Sequence, residues 1–134
     1  MLIIPLFFTF NFYLIFIVVP NILPFDVDQA LFSGESVQMM CHISKGDIPL
    51  EVYWEFNGQT LSRELGTFTK VGERSSVLML PSVTGAHSGN YTCIAKNRAG
   101  VAFYSTILKI TGTQLNVTYI IIAYGLLLII ISIV

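Results

Sequence analysis

Short runs of alternating apolar and polar residues fill the middle of the chain, separated by turn residues at intervals of about 8–12 residues. The first run begins at Val37, and the apolar positions on one of its faces are Val37, Met39, Cys41 and Ile43. Because successive side chains of a strand point to opposite faces, Gln38, Met40 and His42 are expected on the other face. The pattern predicts a strand that is buried on one side only.

Further runs repeat this pattern along the chain. In Glu51–Phe56 the inward residues are Val52, Trp54 and Phe56, and Asn57-Gly58 follows as a strong tight-turn signal. The later inward positions are Leu78 and Leu80, then Tyr91, Cys93 and Ala95, then Thr106, Leu108 and Ile110. No long segment between the two ends of the chain shows a 3.6-residue period, so little helix is expected there. Several short strands at this spacing predict an all-β antiparallel sandwich or barrel.

The two ends of the chain differ from this middle segment, because all fifteen Asp, Glu, Lys and Arg residues lie between Asp26 and Lys109. Apolar, helical segments are therefore expected at both ends. Residues 1–19 resemble the apolar core of a secretory signal peptide, although no basic residue follows Met1 and no small-x-small cleavage site precedes Pro20. The alternatives are an uncleaved anchor, or translated flanking sequence around a domain-encoding exon.

The second apolar segment covers residues 119–134 and follows a short linker at residues 112–118. As a helix it would be about 24 Å long, which is short against roughly 30 Å of hydrocarbon. Small residues precede it, as in the signal for a GPI anchor. A transmembrane helix and a GPI signal are therefore both consistent with this tail.

Charged residues are few, and their distribution argues against two classes of function. Hydrophobic residues make up 54% of the chain and charged residues 11%, and the formal net charge is −1. The charges of the middle segment are mixed, so there is no basic footprint for nucleic acid. They also provide no strongly basic surface for membrane binding.

Cys41, Trp54, Tyr91 and Cys93 carry the first family resemblance. Trp54 follows Cys41 by thirteen positions, and Tyr91 precedes Cys93 by two. This constellation resembles that of immunoglobulin sandwiches, in which the two cysteines bridge the sheets, the Trp packs on the bridge and the Tyr anchors a corner. The resemblance implies a Cys41–Cys93 disulfide and a core that contains Trp54, Tyr91 and Leu80. In the loop-entropy model such a bridge stabilises the fold by roughly 4 kcal/mol.

Three stretches carry a narrower resemblance: Ile22–Phe25, Lys45–Trp54 and Ala95–Gly100. They resemble variable I-set immunoglobulin domains of the arthropod Down syndrome cell adhesion molecule (Dscam) family, over about residues 20–111. The resemblance implies an extracellular domain of residues 20–111 that mediates homophilic cell adhesion, in axon guidance, neuronal self-recognition or immune diversity. His87 departs from the family's usual Asp, which pairs with an Arg, so Arg74 is expected to lack that partner.

Enzymatic chemistry is not expected. An active site needs a nucleophile, a base and oxyanion donors that converge. His42 follows Cys41 and so lies on the opposite face, His87 lies on a predicted loop, and Glu51 and Glu55 share a solvated strand face. With both cysteines in the bridge, no His/Cys cluster has metal-ligand spacing. We expect no cofactor and no metal.

Two glycosylation sequons occur, at Asn90-Tyr91-Thr92 and Asn116-Val117-Thr118. With Tyr91 and Cys93 inward, Asn90 is expected to point outward, where it can accommodate a glycan. Asn116 lies beside the apolar tail. Both asparagines are candidates for modification on the extracellular side of the plasma membrane, or in a secreted protein if the tail is not an anchor.

A candidate binding face follows from the strand alternation. Its expected outward residues are Gln38, Met40, His42, Val77 and Met79. An exposed apolar cluster can mark a contact surface, and Met suits one because it is flexible and polarizable. The expected partner is an identical domain on an opposing cell, or another surface protein. The alternatives are heterophilic immune-type ligand binding, or a single structural module of a larger receptor.

Overall fold

The computed structural model describes residues 15–112 and 117–133. The strands are β1 (Asn21–Ile22), β2 (Leu31–Phe32), β3 (Val37–Lys45), β4 (Glu51–Phe56), β5 (Gln59–Thr60), β6 (Thr67–Val71), β7 (Ser75–Leu80), β8 (Gly89–Lys96), β9 (Val101–Leu108) and β10 (Ile110–Thr111). A 3-10 turn lies at Gly85–His87 between β7 and β8, and the helix α1 runs from Val117 to Ile133.

Two four-stranded sheets form the layers of the domain. The first sheet has the strand order β1-β3-β7-β6 and the second has the order β5-β4-β8-β9, with antiparallel neighbours throughout. Inward-facing apolar residues of β3, β4, β7 and β8 are buried against one another, so the core lies between the sheets. This arrangement confirms the predicted immunoglobulin-like antiparallel β-sandwich.

A disulfide joins the two sheets at their centres. Cys41 on β3 and Cys93 on β8 are both fully buried, and their Cα atoms lie 6.3 Å apart across the bond. The disulfide that the family resemblance implied is therefore confirmed.

A second connection between the sheets lies directly beside the disulfide. Trp54 on β4 is the cross-strand neighbour of Cys93, and Ser76 on β7 is the neighbour of Cys41. The Trp54 indole Nε1–H donates to Ser76 Oγ at 3.0 Å, and both residues are buried. The ring of Phe25 meets that of Trp54 edge-on at 5.4 Å. The buried indole N–H is thus hydrogen-bonded, as a buried polar group must be to avoid a large penalty.

Tyr91 fixes the turn that precedes β8. Its side chain is buried against Phe56, with ring centroids 4.8 Å apart, and its hydroxyl donates to the backbone carbonyl of His87 at 2.8 Å. This is the corner arrangement known from immunoglobulin folds. Burial raises the pKa of Tyr91 to about 12.

The last predicted strand is divided in the structure. The expected run through Thr106, Leu108 and Ile110 is wrong beyond Leu108, because Ile110 belongs to β10, which pairs in parallel with β2. Ile110 N–H donates to Ser88 Oγ at 3.0 Å, and the Thr111 hydroxyl donates to the Leu31 carbonyl at 2.7 Å. The chain therefore changes partner at Lys109.

The N-terminal apolar segment is described from Ile15 onward, and residues 1–14 lie outside the described residues. The helix expected through residue 19 is wrong for residues 15–19, which form no helix or strand. Val18 N–H donates to Asp47 Oδ2 at 2.8 Å, and the Val18 carbonyl accepts from Asn97 Nδ2 at 2.7 Å and from Asp47 N–H at 3.1 Å. These bonds hold the segment against two loops of the domain.

The helix α1 falls in the second apolar segment, where a helix was expected. It begins at Val117, two residues before the expected start of the tail, and extends over 17 residues. Within the described ranges, no helix has both the length and the apolar character needed to cross a membrane.

Reduction of the disulfide is expected to destabilise the domain strongly. Loss of the Cys41–Cys93 cross-link frees the unfolded chain and costs about 4 kcal/mol, which is close to the whole stability of a small domain. Thermal melting with and without reductant should show the melting temperature falling by roughly 15 to 30 °C. The double variant Cys41→Ala/Cys93→Ala is the control, since reductant should leave its melting curve unchanged. An unchanged curve for the natural chain would contradict the expectation.

The raised pKa of Tyr91 predicts a loss of stability in alkali. The folded protein holds the phenolic proton more tightly than the unfolded chain, whose Tyr titrates near 10.0. This contribution is complete below pH 10 and is lost as the pH rises toward about 12. Urea unfolding from pH 8 to pH 11.5 measures it.

Tyr91→Phe is the matched control for that experiment. At pH 8 the variant should be less stable by about 1 kcal/mol, because the His87 carbonyl loses its hydrogen-bond donor. Since Phe cannot ionise, the difference between the two proteins should shrink above pH 10. Parallel pH profiles for the two proteins would show that Tyr91 does not carry the effect.

Candidate recognition surface

The outward side of the first sheet is formed by alternate residues of β3, β7 and β6, and we call it the β3–β7 face. Strand register arranges its nine positions in three cross-strand rows. These rows are Gln38–Met79–Thr67, Met40–Val77–Thr69 and His42–Ser75–Val71. All five residues that the sequence analysis assigned to a binding face therefore lie side by side on one surface.

Apolar side chains occupy the centre of the β3–β7 face. Met40 is 57% exposed and Met79 is 44% exposed, on adjacent rows. Val77 is half-buried, because β7 has a neighbouring strand on each side. Directly opposite residues in an antiparallel pair have Cβ atoms about 5 Å apart, so Met40 and Val77 form one continuous apolar contact. In the third row, His42 Nδ1 lies 2.8 Å from Ser75 Oγ, so these two side chains are hydrogen-bonded.

The β3–β7 face carries no formal charge from Asp, Glu, Lys or Arg at any of its nine positions. Lys70 lies between Thr69 and Val71 in sequence but pairs with the inward Ser76, and its Nζ donates to the Leu50 carbonyl at 3.1 Å. Lys45 and Arg74 lie beyond the ends of the rows. Charged residues are depleted at the cores of protein interfaces, because burying an unpaired charge is costly. A partner can therefore cover this face without removing water from an ion.

A shallow depression lies at one end of the β3–β7 face. It encloses about 270 Å³ and is lined by Ser36, Val37, Gln38, Met79, Leu80 and Pro81. Small-molecule sites usually enclose roughly 300–1,000 Å³. Its volume lies just below that range, and the exposed Met79 borders it.

The outward side of the second sheet, which we call the β8–β9 face, has a different character. Its rows are Glu51–Lys96–Val101, Tyr53–Ile94–Phe103, Glu55–Thr92–Ser105 and Asn90–Ile107. Phe103 is 72% exposed and Ile107 is 74% exposed, whereas Ile94 is only 7% exposed between Tyr53 and Phe103. Sequence reasoning missed these apolar residues. The signal was present in the alternation of Val101–Leu108, where Val101, Phe103 and Ile107 occupy the side opposite Leu108.

The first of the two predicted glycosylation sites lies on the β8–β9 face. Asn90 is exposed and is the direct cross-strand neighbour of Ile107. The Thr92 hydroxyl of the same sequon lies 2.7 Å from Ser105 Oγ. The second site, Asn116, lies outside the described residues.

His87 stands at the position where the family usually has an Asp, and its imidazole bonds to uncharged backbone groups. Its Nδ1 accepts from Thr84 N–H at 2.9 Å, so the hydrogen resides on Nε2, which donates to the Leu65 carbonyl at 3.1 Å. Among the described residues, Arg74 Nη1 is buried without a hydrogen-bond partner.

The cysteines and histidines of the described part of the chain all take part in the contacts given above. No three His, Cys, Asp or Glu residues within it lie close enough to bind a metal ion. Both cysteines are in the disulfide, and His42 contacts Ser75 on the surface.

Comparison with known sequences identifies relatives of this domain. Residues 20–97 match the family model described as an immunoglobulin domain. The cell adhesion molecule Dscam2 of Drosophila melanogaster is 39% identical over 95 residues, which are 70% of this chain and 5% of that protein. The cell adhesion molecule DSCAML1 of Mus musculus is 38% identical over 80 residues, 60% of this chain and 4% of that protein. The chain thus spans about one-twentieth of the length of these relatives.

Solved structures give the same result. The Dscam1 Ig7 domain, isoform 5, superposes with a TM-score of 0.67 at 33% identity, over 69% of this chain and 97% of that one. The I-band fragment I67-I69 from titin superposes with a TM-score of 0.65 at 28% identity, over 71% of this chain and 33% of that one. The resemblance to Dscam is confirmed. The chain belongs to the immunoglobulin-domain family, and its domain is similar to those of the Dscam cell adhesion molecules.

Proposed function

We propose that this chain acts in cell-surface recognition, and that its β3–β7 face binds the same face of a second copy. One observation carries the proposal: the face is free of formal charge, and Met40, Val77 and Met79 form its apolar centre. The function is binding, without catalysis. The names of the relatives, which are cell adhesion molecules, support a role in adhesion.

Self-binding places a particular demand on such a surface. In a two-fold symmetric contact each residue meets a patch with the same composition as its own. A patch with an excess of one sign of charge would then repel its copy, whereas the β3–β7 face has no such charge to oppose. Met side chains are flexible and polarizable, so Met40 and Met79 can adjust to fill the contact.

The proposed location is the extracellular side of the plasma membrane. Disulfides form and persist in oxidising compartments, and the Cys41–Cys93 bridge is an integral part of the core. The resemblance to Dscam supports neuronal self-recognition, axon guidance or immune diversity as the biological setting.

A charged residue at the centre of the face should abolish homophilic binding. Cells that express the full chain are expected to aggregate, and Met40→Glu or Met79→Glu should prevent it. Burial of an unpaired carboxylate against a second copy costs at least about 2 kcal/mol, or roughly 30-fold in affinity. The control is Phe103→Glu on the β8–β9 face, where the side chain is also exposed and the same change should leave aggregation unchanged. Surface staining checks that each variant is displayed.

Opposite substitutions provide a sharper form of this test. Cells with Met40→Glu should join cells with Met40→Lys, although neither population aggregates alone, because the two faces that meet then carry opposite charges. Aggregation that survives both Met40→Glu and Met79→Glu would refute binding through this face.

A second candidate function is that of one structural module in a longer receptor. The observation that favours it is the coverage of the relatives, since the match extends over 5% of Dscam2. Sequencing of transcripts across both apolar segments tests this candidate. Heterophilic ligand binding would instead be revealed if cells expressing the chain adhere to cells that lack it.

A further inference from the structure

The β8–β9 face carries exposed apolar side chains that the proposed function does not use. Ile107 and Phe103 are both more than 70% exposed, on the edge strand β9. They lie four residues apart, which in a strand corresponds to about 14 Å. Uncovered apolar side chains on an edge strand invite pairing with other chains, and natural proteins usually protect such edges.

The sequon asparagine lies at the Ile107 end of this face. Asn90 and Ile107 are direct cross-strand partners on the same side of the sheet, which places their Cβ atoms about 5 Å apart. The backbone N–H and carbonyl of Asn90 are both hydrogen-bonded. Its N–H donates to Asn57 Oδ1 at 2.9 Å, and its carbonyl accepts from Asn57 N–H at 2.8 Å. A group attached to this side chain therefore begins directly beside Ile107.

We propose that Asn90 carries an N-linked glycan that covers the β8–β9 face from Ile107 toward Phe103. The glycan is attached through the Asn90 side-chain amide, and it is large and hydrophilic compared with the side chains beneath it. It shields the apolar edge from water and from other chains. The β3–β7 face is then the bare sheet surface of the domain, which directs self-binding to that side.

The charges of the β8–β9 face favour a glycan over a second copy of the chain as its cover. Glu51, Lys96 and Glu55 lie on the same side of the sheet as Phe103. Close contact with an identical face would remove water from these charged groups, and Glu55 has no basic residue in its own row to offset the cost. A hydrated glycan leaves them in a polar environment.

The inference rests on the proposed cell-surface location, because N-glycosylation requires passage through the secretory pathway. The experiment uses the full chain, expressed through the secretory pathway and then purified. Peptide mass spectrometry measures the occupancy of Asn90, and hydroxyl-radical footprinting measures the oxidation of Ile107, Phe103 and Met40. Oxidation reports the access of solvent to each side chain.

Three variants distinguish the effect of the glycan from the effect of local packing. Thr92→Ala destroys the sequon and removes the contact between Thr92 and Ser105, whereas Ser105→Ala removes the same contact and keeps the sequon. Thr92→Ser keeps both. Trimming the glycan enzymatically on the natural chain provides a second comparison without any substitution.

The expected result is an occupied Asn90 and protection that decreases with distance. Loss of the glycan should raise the oxidation of Ile107 severalfold and that of Phe103 less, and should leave Met40 unchanged. Ser105→Ala and Thr92→Ser should behave like the natural chain. An unmodified Asn90 in a chain whose Cys41–Cys93 bridge is oxidised would overturn the inference, and so would equal oxidation of Ile107 with and without glycan. A chain with reduced cysteines and no glycan would overturn the proposed location as well.

Discussion

Two neighbouring links between the sheets, the Cys41–Cys93 disulfide and the hydrogen bond from Trp54 to Ser76, hold the domain together. Cys41 pairs with Ser76 within the first sheet, and Trp54 pairs with Cys93 within the second. The four residues therefore form a closed ring of two in-sheet pairs and two cross-sheet links. This ring fixes the register of the central strands, because a slip of one residue would turn every buried side chain outward.

The character of both outer faces follows from that register. With Cys41 inward, Met40 and His42 must point outward, and they join Val77 and Met79 on an uncharged face. With Cys93 inward, Asn90 and Thr92 point outward, which sets the sequon beside Ile107. Under the two proposals, one face makes direct contact with another copy, and the other is covered by a glycan. The two roles are complementary, since each copy then has a single bare sheet surface.

Much of this organisation could be predicted from local patterns. Alternation in Val37–Lys45 and Ser75–Leu80 identified core residues and the outward Met40 and Met79, and the resemblance to immunoglobulin domains implied the bridge. His87 departs from the family's usual Asp, and its side chain bonds to Thr84 and to the Leu65 carbonyl. The apolar outward side of β9 is equally present in the sequence, in the alternation of Val101–Leu108.

The sequence by itself determined which residues alternate, and therefore the strands, the core and the sides on which Met40 and Asn90 lie. The tertiary structure alone decided which distant segments meet. Ile110 pairs with Leu31, so the chain leaves the second sheet after Leu108 and pairs with β2. Val18 bonds to Asp47 and Asn97, which holds residues 15–19 against the domain without a helix. The physical reason is that alternation is a local consequence of strand geometry, whereas these pairings depend on which unpaired backbone and side-chain groups the packed sheets bring within hydrogen-bonding distance.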